Sequence, residues 1–147
     1  MMITRTKIFR LVIKTSRSQA LDSIIHAVDE LSEKHIGALI VFPRSQNIEM
    51  TIDTGVPLQS IVSKELIISV FNTKSPLHDG AVIIKEERVA AAGCLFPLTD
   101  NPEIAKTMGT RHRAGIGITE ESDAIVIIVS EETGKISVGL KGKLSTD

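Results

Sequence analysis

A chain of 147 residues suits one domain around one core; 42% hydrophobic and 24% charged residues are an ordinary globular balance. With 17 basic against 18 acidic side chains the net charge is −1, so no global field draws the chain to nucleic acid or to an anionic membrane. The single Cys94 excludes an internal disulfide and a cysteine metal cluster, which fits a reducing, cytoplasmic setting, and four Phe without Trp or Tyr are few for a base-stacking surface.

In chain order, Met1–Lys14 scatters basic residues among Ile3, Ile8, Phe9, Leu11, Val12 and Ile13. It lacks the clean apolar run and cleavage site of a signal peptide, and no stretch has the apolar length to cross a bilayer, so the chain as written reads as soluble. Residues 18–35 read as an amphipathic helix, with Leu21, Ile24, Ile25, Val28 and Leu31 on one face and Gly37 as its stop. Ala38–Phe42 reads as a buried strand and the alternating Ile48–Ile52 as its partner, with a turn at Asp53-Thr54-Gly55. Ser63 is placed to cap a second helix carrying Leu66, Ile67, Val70 and Phe71, which Asn72–Pro76 breaks. Ala81–Ile84 and Val89–Phe96 read as strands across a Glu86-Glu87 turn, Pro97–Pro102 as a loop, and Ile104–Met108 as a brief helix. Ala124–Val129 is the strongest strand, with Ile136–Leu140 its hairpin partner across Glu131–Gly134. The expected fold class is α/β, α+β-like in arrangement: a single domain with a mixed central β-sheet flanked by helices.

Three segments can carry chemistry. In Ser75-Pro76-Leu77-His78-Asp79-Gly80-Ala81, two metal- or proton-handling groups precede a strand, and Gly80 would let a ligand approach the backbone. Asp-Gly is also a common tight turn, and these residues alone favour that, although Asn72–Pro76 offers no strand for a hairpin. In Gly109-Thr110-Arg111-His112-Arg113-Ala114-Gly115, two guanidinium groups flank a histidine, and Thr110 can cap a helix beginning at Arg111. Helix-start N–H groups and arginine forks attract phosphate oxygens; a solvated basic turn accounts for the same residues equally well. Ser130-Glu131-Glu132-Thr133-Gly134 puts carboxylates at a strand end, where they can position a metal or a ribose hydroxyl but more often solubilise a turn. His26 and His35 read as structural and Cys94 as packed; there is no Walker-type loop and no Gly-x-Ser-x-Gly elbow.

Leu77-His78-Asp79-Gly80-Ala81 followed by Gly109-Thr110-Arg111-His112-Arg113 resembles the paired signature of diadenylate cyclases. The resemblance extends over roughly Ile24 to Leu140 and is closest to the class whose catalytic domain follows an N-terminal membrane anchor. It implies condensation of two ATP into cyclic di-AMP at a face-to-face homodimer, with a divalent magnesium, manganese or cobalt ion. By motif match, Asp79, Arg111, His112 and Arg113 would be catalytic, and His78 and Asp79 would hold the metal. Leu77, Gly80, Ala81, Leu95, Phe96, Thr110, Arg111, Arg113, Ser130, Glu131 and Glu132 would bind ATP, Leu95 and Phe96 by packing on adenine where some relatives carry Tyr at the position of Leu95. Residues 1–17 would be an N-terminal segment left from a membrane-proximal linker and 18–147 the catalytic domain; relatives usually continue into another helix. Such a domain would be cytoplasmic, at the membrane face where an anchor precedes it, with no nucleic-acid partner and no membrane contact of its own. The alternatives are a non-catalytic ATP- or cyclic-dinucleotide-binding regulatory module, a metal-dependent phosphohydrolase using His78 and Asp79, and a purely structural α/β domain.

Overall fold

The computed structural model describes residues 19–46 and 48–146; the expected N-terminal segment 1–17 lies outside them. Helix α1, Gln19–Glu33, forms where the three- and four-residue spacing predicts, burying Leu21, Ile24, Ala27, Val28 and Leu31. Its stop is His35, not Gly37. His35 takes the left-handed conformation (φ 53°), its N–H donates to the Ser32 carbonyl at 3.2 Å, and the Ile36 N–H donates to the Leu31 carbonyl at 2.9 Å.

Strand β1, Ala38–Phe42, is buried throughout. Where alternation suggested a strand at Ile48–Ile52, the chain forms a short helix, α2 (Glu49–Ile52). Ile48 and Ile52 stand one helical turn apart, and both pack on the same core, so a helix satisfies them as well as a strand would. Strand β2, Val56–Ile61, has no counterpart in the sequence reading. It is an edge strand interrupted by a register shift between Pro57 and Ser60, and such a strand needs no apolar alternation.

Helix α3, Lys64–Phe71, starts as expected, with the Ser63 hydroxyl accepting the Leu66 N–H at 3.0 Å, a cap worth about 1 kcal/mol. Strands β3 (Ala81–Lys85) and β4 (Arg88–Cys94) turn at Glu86 and Glu87, both left-handed (φ 53° and 62°), as a two-residue hairpin requires. Leu95 and Phe96 lie beyond the end of β4. Helix α4, Pro102–Thr107, begins two residues before the expected Ile104, because Asn101 caps the Glu103 N–H at 3.0 Å and proline suits a first turn. Helix α5 (Thr110–Glu121) then leads into β5 (Ile125–Val129), β6 (Ile136–Leu140) and β7 (Lys143–Thr146), the last unforeseen.

The strands form one mixed sheet in the order β2-β4-β3-β1-β5-β6-β7. β1 and β3 run parallel (Ile40 beside Val82); the other neighbours are antiparallel, among them β1 and β5 (Ala38 beside Val129). Helices α1 and α3 cover one face through Val28, Leu31, Ile67 and Phe71, and α5 covers the other through Ala114 and Ile118, so the fold is the expected mixed sheet flanked by helices. This topology brings the beginnings of β1 and β3, the end of β5 and the beginning of β6 to one end of the sheet.

Cys94 is buried on the α5 face, and burial pushes its thiol up to about 11. At pH 8 the thiol is therefore protonated and inert. Native protein is expected to resist iodoacetamide at that pH and to be alkylated fully once denatured; rapid native labelling, read by mass spectrometry, would contradict this burial.

Candidate functional site

The approach to β3 is a loop held by its own side chains. The Ser75 hydroxyl accepts the Leu77 N–H at 3.0 Å, and the His78 ring donates from Nδ1 to the Ser75 carbonyl at 2.8 Å. A carbonyl only accepts, so Nδ1 carries a proton, and Nε2 lies 3.4 Å from Asp79 Oδ1. Asp79 itself is 85% exposed. Gly80 has φ 99°, and a Cβ there would come within 2.7 Å of the Cys94 carbonyl, so only glycine lets the loop lie this close to β4.

At the start of α5 the cap is Gly109 rather than Thr110; Thr110 is the first helical residue and makes no capping bond. Arg111 lies across the backbone of Gly37, where a Cβ would fall 2.6 Å from Nη1. That space explains the glycine that looked like a helix stop. The guanidinium pairs with Glu131 at 3.1 Å and donates to the His78 carbonyl at 3.4 Å, which ties all three sequence segments together. Its Nε is buried with no hydrogen-bond partner among the described residues. Arg113 shares that condition, but two residues along a helix point to different sides, and Arg113 does not face the same space. His112 is half-buried; burial, with help from Arg111 and against Glu132, holds its imidazole below the ordinary histidine range, so it is neutral at pH 7.

The third segment is a tight turn. The Ser130 hydroxyl accepts the N–H groups of Glu132 and Thr133 at 3.2 Å each, and the Gly134 N–H donates to the Ser130 carbonyl at 2.9 Å. The Ser32 hydroxyl of α1 donates to the Gly134 carbonyl at 2.5 Å. The turn is thus fixed from both sides, and Glu131 projects toward Arg111.

These segments enclose a cleft of about 460 Å³ at that end of the sheet. Of the expected site residues, Asp79, Thr110, Arg111, His112, Ser130, Glu131 and Glu132 line it, while Leu77, His78, Gly80, Ala81, Leu95, Phe96 and Arg113 do not. Ala81 and Phe96 are buried in the core beneath, Leu77 packs against the opposite core, and Leu95 is 63% exposed. Met108, Thr133, Lys135, Ser137 and Thr146 also line the cleft. Thr133 belongs to the third segment, and sequence reasoning passed over the others: Ser137 and Thr146 meet only through the β6–β7 register, their hydroxyls 2.8 Å apart, and no local motif announces that. A second, open hollow of about 560 Å³ at the far end of α5 contains none of the expected residues.

The cleft can hold an anion and a cation together. The free N–H groups at the start of α5 and the Arg111 fork suit phosphate oxygens. Among the described residues no three acidic, histidine or cysteine groups form a ready metal cage. His78 Nε2 and the Asp79 carboxylate make an adjacent donor pair, with Glu131 and Glu132 on the cleft wall, which fits a hard cation that takes its remaining ligands from a substrate's phosphates and water. Among the described residues no helix is long and apolar enough to cross a membrane.

Comparison with known proteins gives a family match and close structural relatives. Residues 25–144 match the family model DAC, described as "DisA bacterial checkpoint controller nucleotide-binding". The chain is 44% identical over 132 residues to the cyclic di-AMP synthase CdaA of Bacillus subtilis, covering 90% of this chain and 48% of that protein. It is 43% identical over 135 residues to a diadenylate cyclase of Listeria monocytogenes, covering 92% and 50%. The chain thus spans about half the length of these curated relatives. A crystal structure of a double mutant of DacA from Staphylococcus aureus superposes with a TM-score of 0.85 at 49% identity, covering 88% of this chain and 86% of that one. A Bacillus cereus structure described as a hypothetical membrane spanning protein gives a TM-score of 0.83 at 42% identity, covering 88% and 63%.

Proposed function

The chain belongs to the DAC family, and from that premise we propose that it is a diadenylate cyclase that condenses two ATP molecules into cyclic di-AMP. The observation that carries the proposal is the shared cleft, in which the exposed Asp79 carboxylate and the Arg111 guanidinium face one volume able to take a nucleotide's phosphate tail. In each half-reaction the 3′-oxygen of one ATP attacks the α-phosphorus of the other. A P–O bond forms, the bond to the β-phosphate oxygen breaks, pyrophosphate leaves, and the hydroxyl proton is released.

Asp79 accepts the hydrogen bond of the attacking hydroxyl and orients it. Arg111 and the N–H groups at the α5 N-terminus offset the charge of the phosphate oxygens that would repel the attacker, and the Thr110 hydroxyl on the cleft wall adds a hydrogen bond. His112, neutral at pH 7, adds a hydrogen bond without adding a charge. Arg113, to which the resemblance gives a phosphate-holding role, lies outside the cleft, and its carbonyl accepts the Thr99 N–H at 3.1 Å. Leu95, which is exposed, packs on adenine, and Phe96, buried beneath, supports it from the core. Among the described residues three carboxylates and two permanent cations line the cleft, so a triphosphate needs an added positive charge there. His78 and Asp79 would hold a magnesium, manganese or cobalt ion that takes its remaining ligands from the phosphates and water; such an ion would lower the pKa of the hydroxyl and draw charge from the phosphate.

The product is symmetric, and one cleft holding one ATP cannot close the ring. Two subunits related by a two-fold axis present both nucleotides in matching orientation, and Asp79 at the open mouth of the cleft is where the second nucleotide would meet the first. The setting we propose is cytoplasmic, at the membrane face where an anchor precedes the domain.

The test is to incubate the protein with ATP and manganese and resolve the products chromatographically. Cyclic di-AMP with two equivalents of pyrophosphate is expected. ADP or AMP would indicate a phosphohydrolase, and bound but unchanged ATP would indicate a regulatory module. With no Trp or Tyr, the protein's own near-ultraviolet absorbance is low, so bound adenine is directly visible.

A further inference from the structure

We propose that Lys135 binds the β- and γ-phosphates of the nucleotide, the portion that departs as pyrophosphate. The proposal rests on the cyclase reading above and adds to it a second cation, beside Arg111, on the departing group. Lys135 lines the same cleft as Arg111, and its backbone is held where the β5–β6 turn closes. Its carbonyl accepts the Ser130 N–H at 3.0 Å, and its N–H donates to the Thr133 hydroxyl at 3.1 Å.

Strand alternation sets the direction of the side chain. Ile136 and Val138 point into the core under α1, so Lys135 and Ser137 share the opposite face, and Ser137 is itself a cleft residue. A lysine beside a hairpin turn commonly serves solubility alone. Lys135 differs in what surrounds it. Among the described residues its ammonium has no carboxylate partner, whereas Arg111, the other permanent cation of the cleft, is already engaged by Glu131. A departing pyrophosphate carries more charge than the diester left behind, and it needs a cation that no carboxylate has claimed. A flexible lysine stem suits a group that must bind and then leave.

The experiment compares wild type, Lys135→Gln, Lys135→Arg and Lys143→Gln in the manganese-dependent assay, measuring KM for ATP and inhibition by pyrophosphate and by cyclic di-AMP. Lys143 lines the far hollow, so its variant removes the same charge from the neighbouring strand outside the cleft. Lys135→Gln is expected to raise the ATP KM and the pyrophosphate inhibition constant by about fivefold or more, with inhibition by cyclic di-AMP unchanged, Lys135→Arg restoring both, and Lys143→Gln without effect. A pyrophosphate constant within twofold of wild type, or an equal rise for cyclic di-AMP, would overturn the leaving-group assignment. If wild type makes no cyclic di-AMP, the cyclase reading fails instead, and calorimetry with magnesium pyrophosphate on the same proteins decides the fate of Lys135 separately.

Discussion

Replacing Asp79 by asparagine is expected to lower cyclic di-AMP formation by about a thousandfold while ATP affinity changes by less than about threefold. The asymmetry follows from position. Asp79 is exposed, and its neighbour in the fold is the His78 ring at 3.4 Å, so asparagine costs the domain almost nothing. It lies on the same cleft as Arg111 but takes no part in the Arg111–Glu131 pair, so the phosphate-binding groups keep their places. What asparagine loses is the negative charge that orients a hydroxyl and helps hold a cation. Rates measured by product chromatography, ATP affinity by calorimetry and an unchanged melting temperature together check this. A variant with near-normal turnover would remove Asp79 from the reaction.

Arg111→Ala is expected to weaken ATP binding by about a hundredfold, the largest effect on affinity of any single change in the cleft. Arg111 sits on Gly37, reaches the His78 carbonyl and pairs with Glu131, so it joins the approach to β3, the start of α5 and the β5–β6 turn. Among the described residues truncation leaves three cleft carboxylates against one cation, Lys135, which repels a triphosphate. Glu131 is 68% exposed and remains solvated, but Arg111 is 19% exposed and packs on Gly37, so the melting temperature should fall somewhat and affinity is measured well below it. Lysine should restore only part of the affinity, since one ammonium cannot span Glu131 and the His78 carbonyl as a planar fork does. Calorimetry with a non-hydrolysable ATP analogue measures this; wild-type affinity in Arg111→Ala would place the phosphates elsewhere.

Gly37 shows how the sequence misleads when a residue has two explanations. After an amphipathic run a glycine reads as a helix stop, yet His35 performs that task in the left-handed conformation, and Gly37 is small because Arg111, distant in sequence, lies on it. Ile48–Ile52 misleads similarly: five residues with isoleucines at both ends satisfy period two and period 3.6 alike, and only the core beneath selected the helix. β2 and β7 went unread because edge strands carry weak apolar patterns.

By itself the sequence determined what depends on near neighbours and composition. The amphipathic face of α1, the Ser63 cap, the buried runs of β1 and β5, the mixed sheet with helices on it, and the two motifs whose order marks the family were all legible. The tertiary structure alone decided which motif residues meet. Strand register brings Asp79, Arg111 and Glu131 to one cleft, adds Lys135, Ser137 and Thr146, and the helical rotation of two residues turns Arg113 away from Arg111. The physical reason is range: caps and periodicity act over a few residues, whereas a cleft is made by contacts between segments tens of residues apart, whose pairing depends on how the whole core packs.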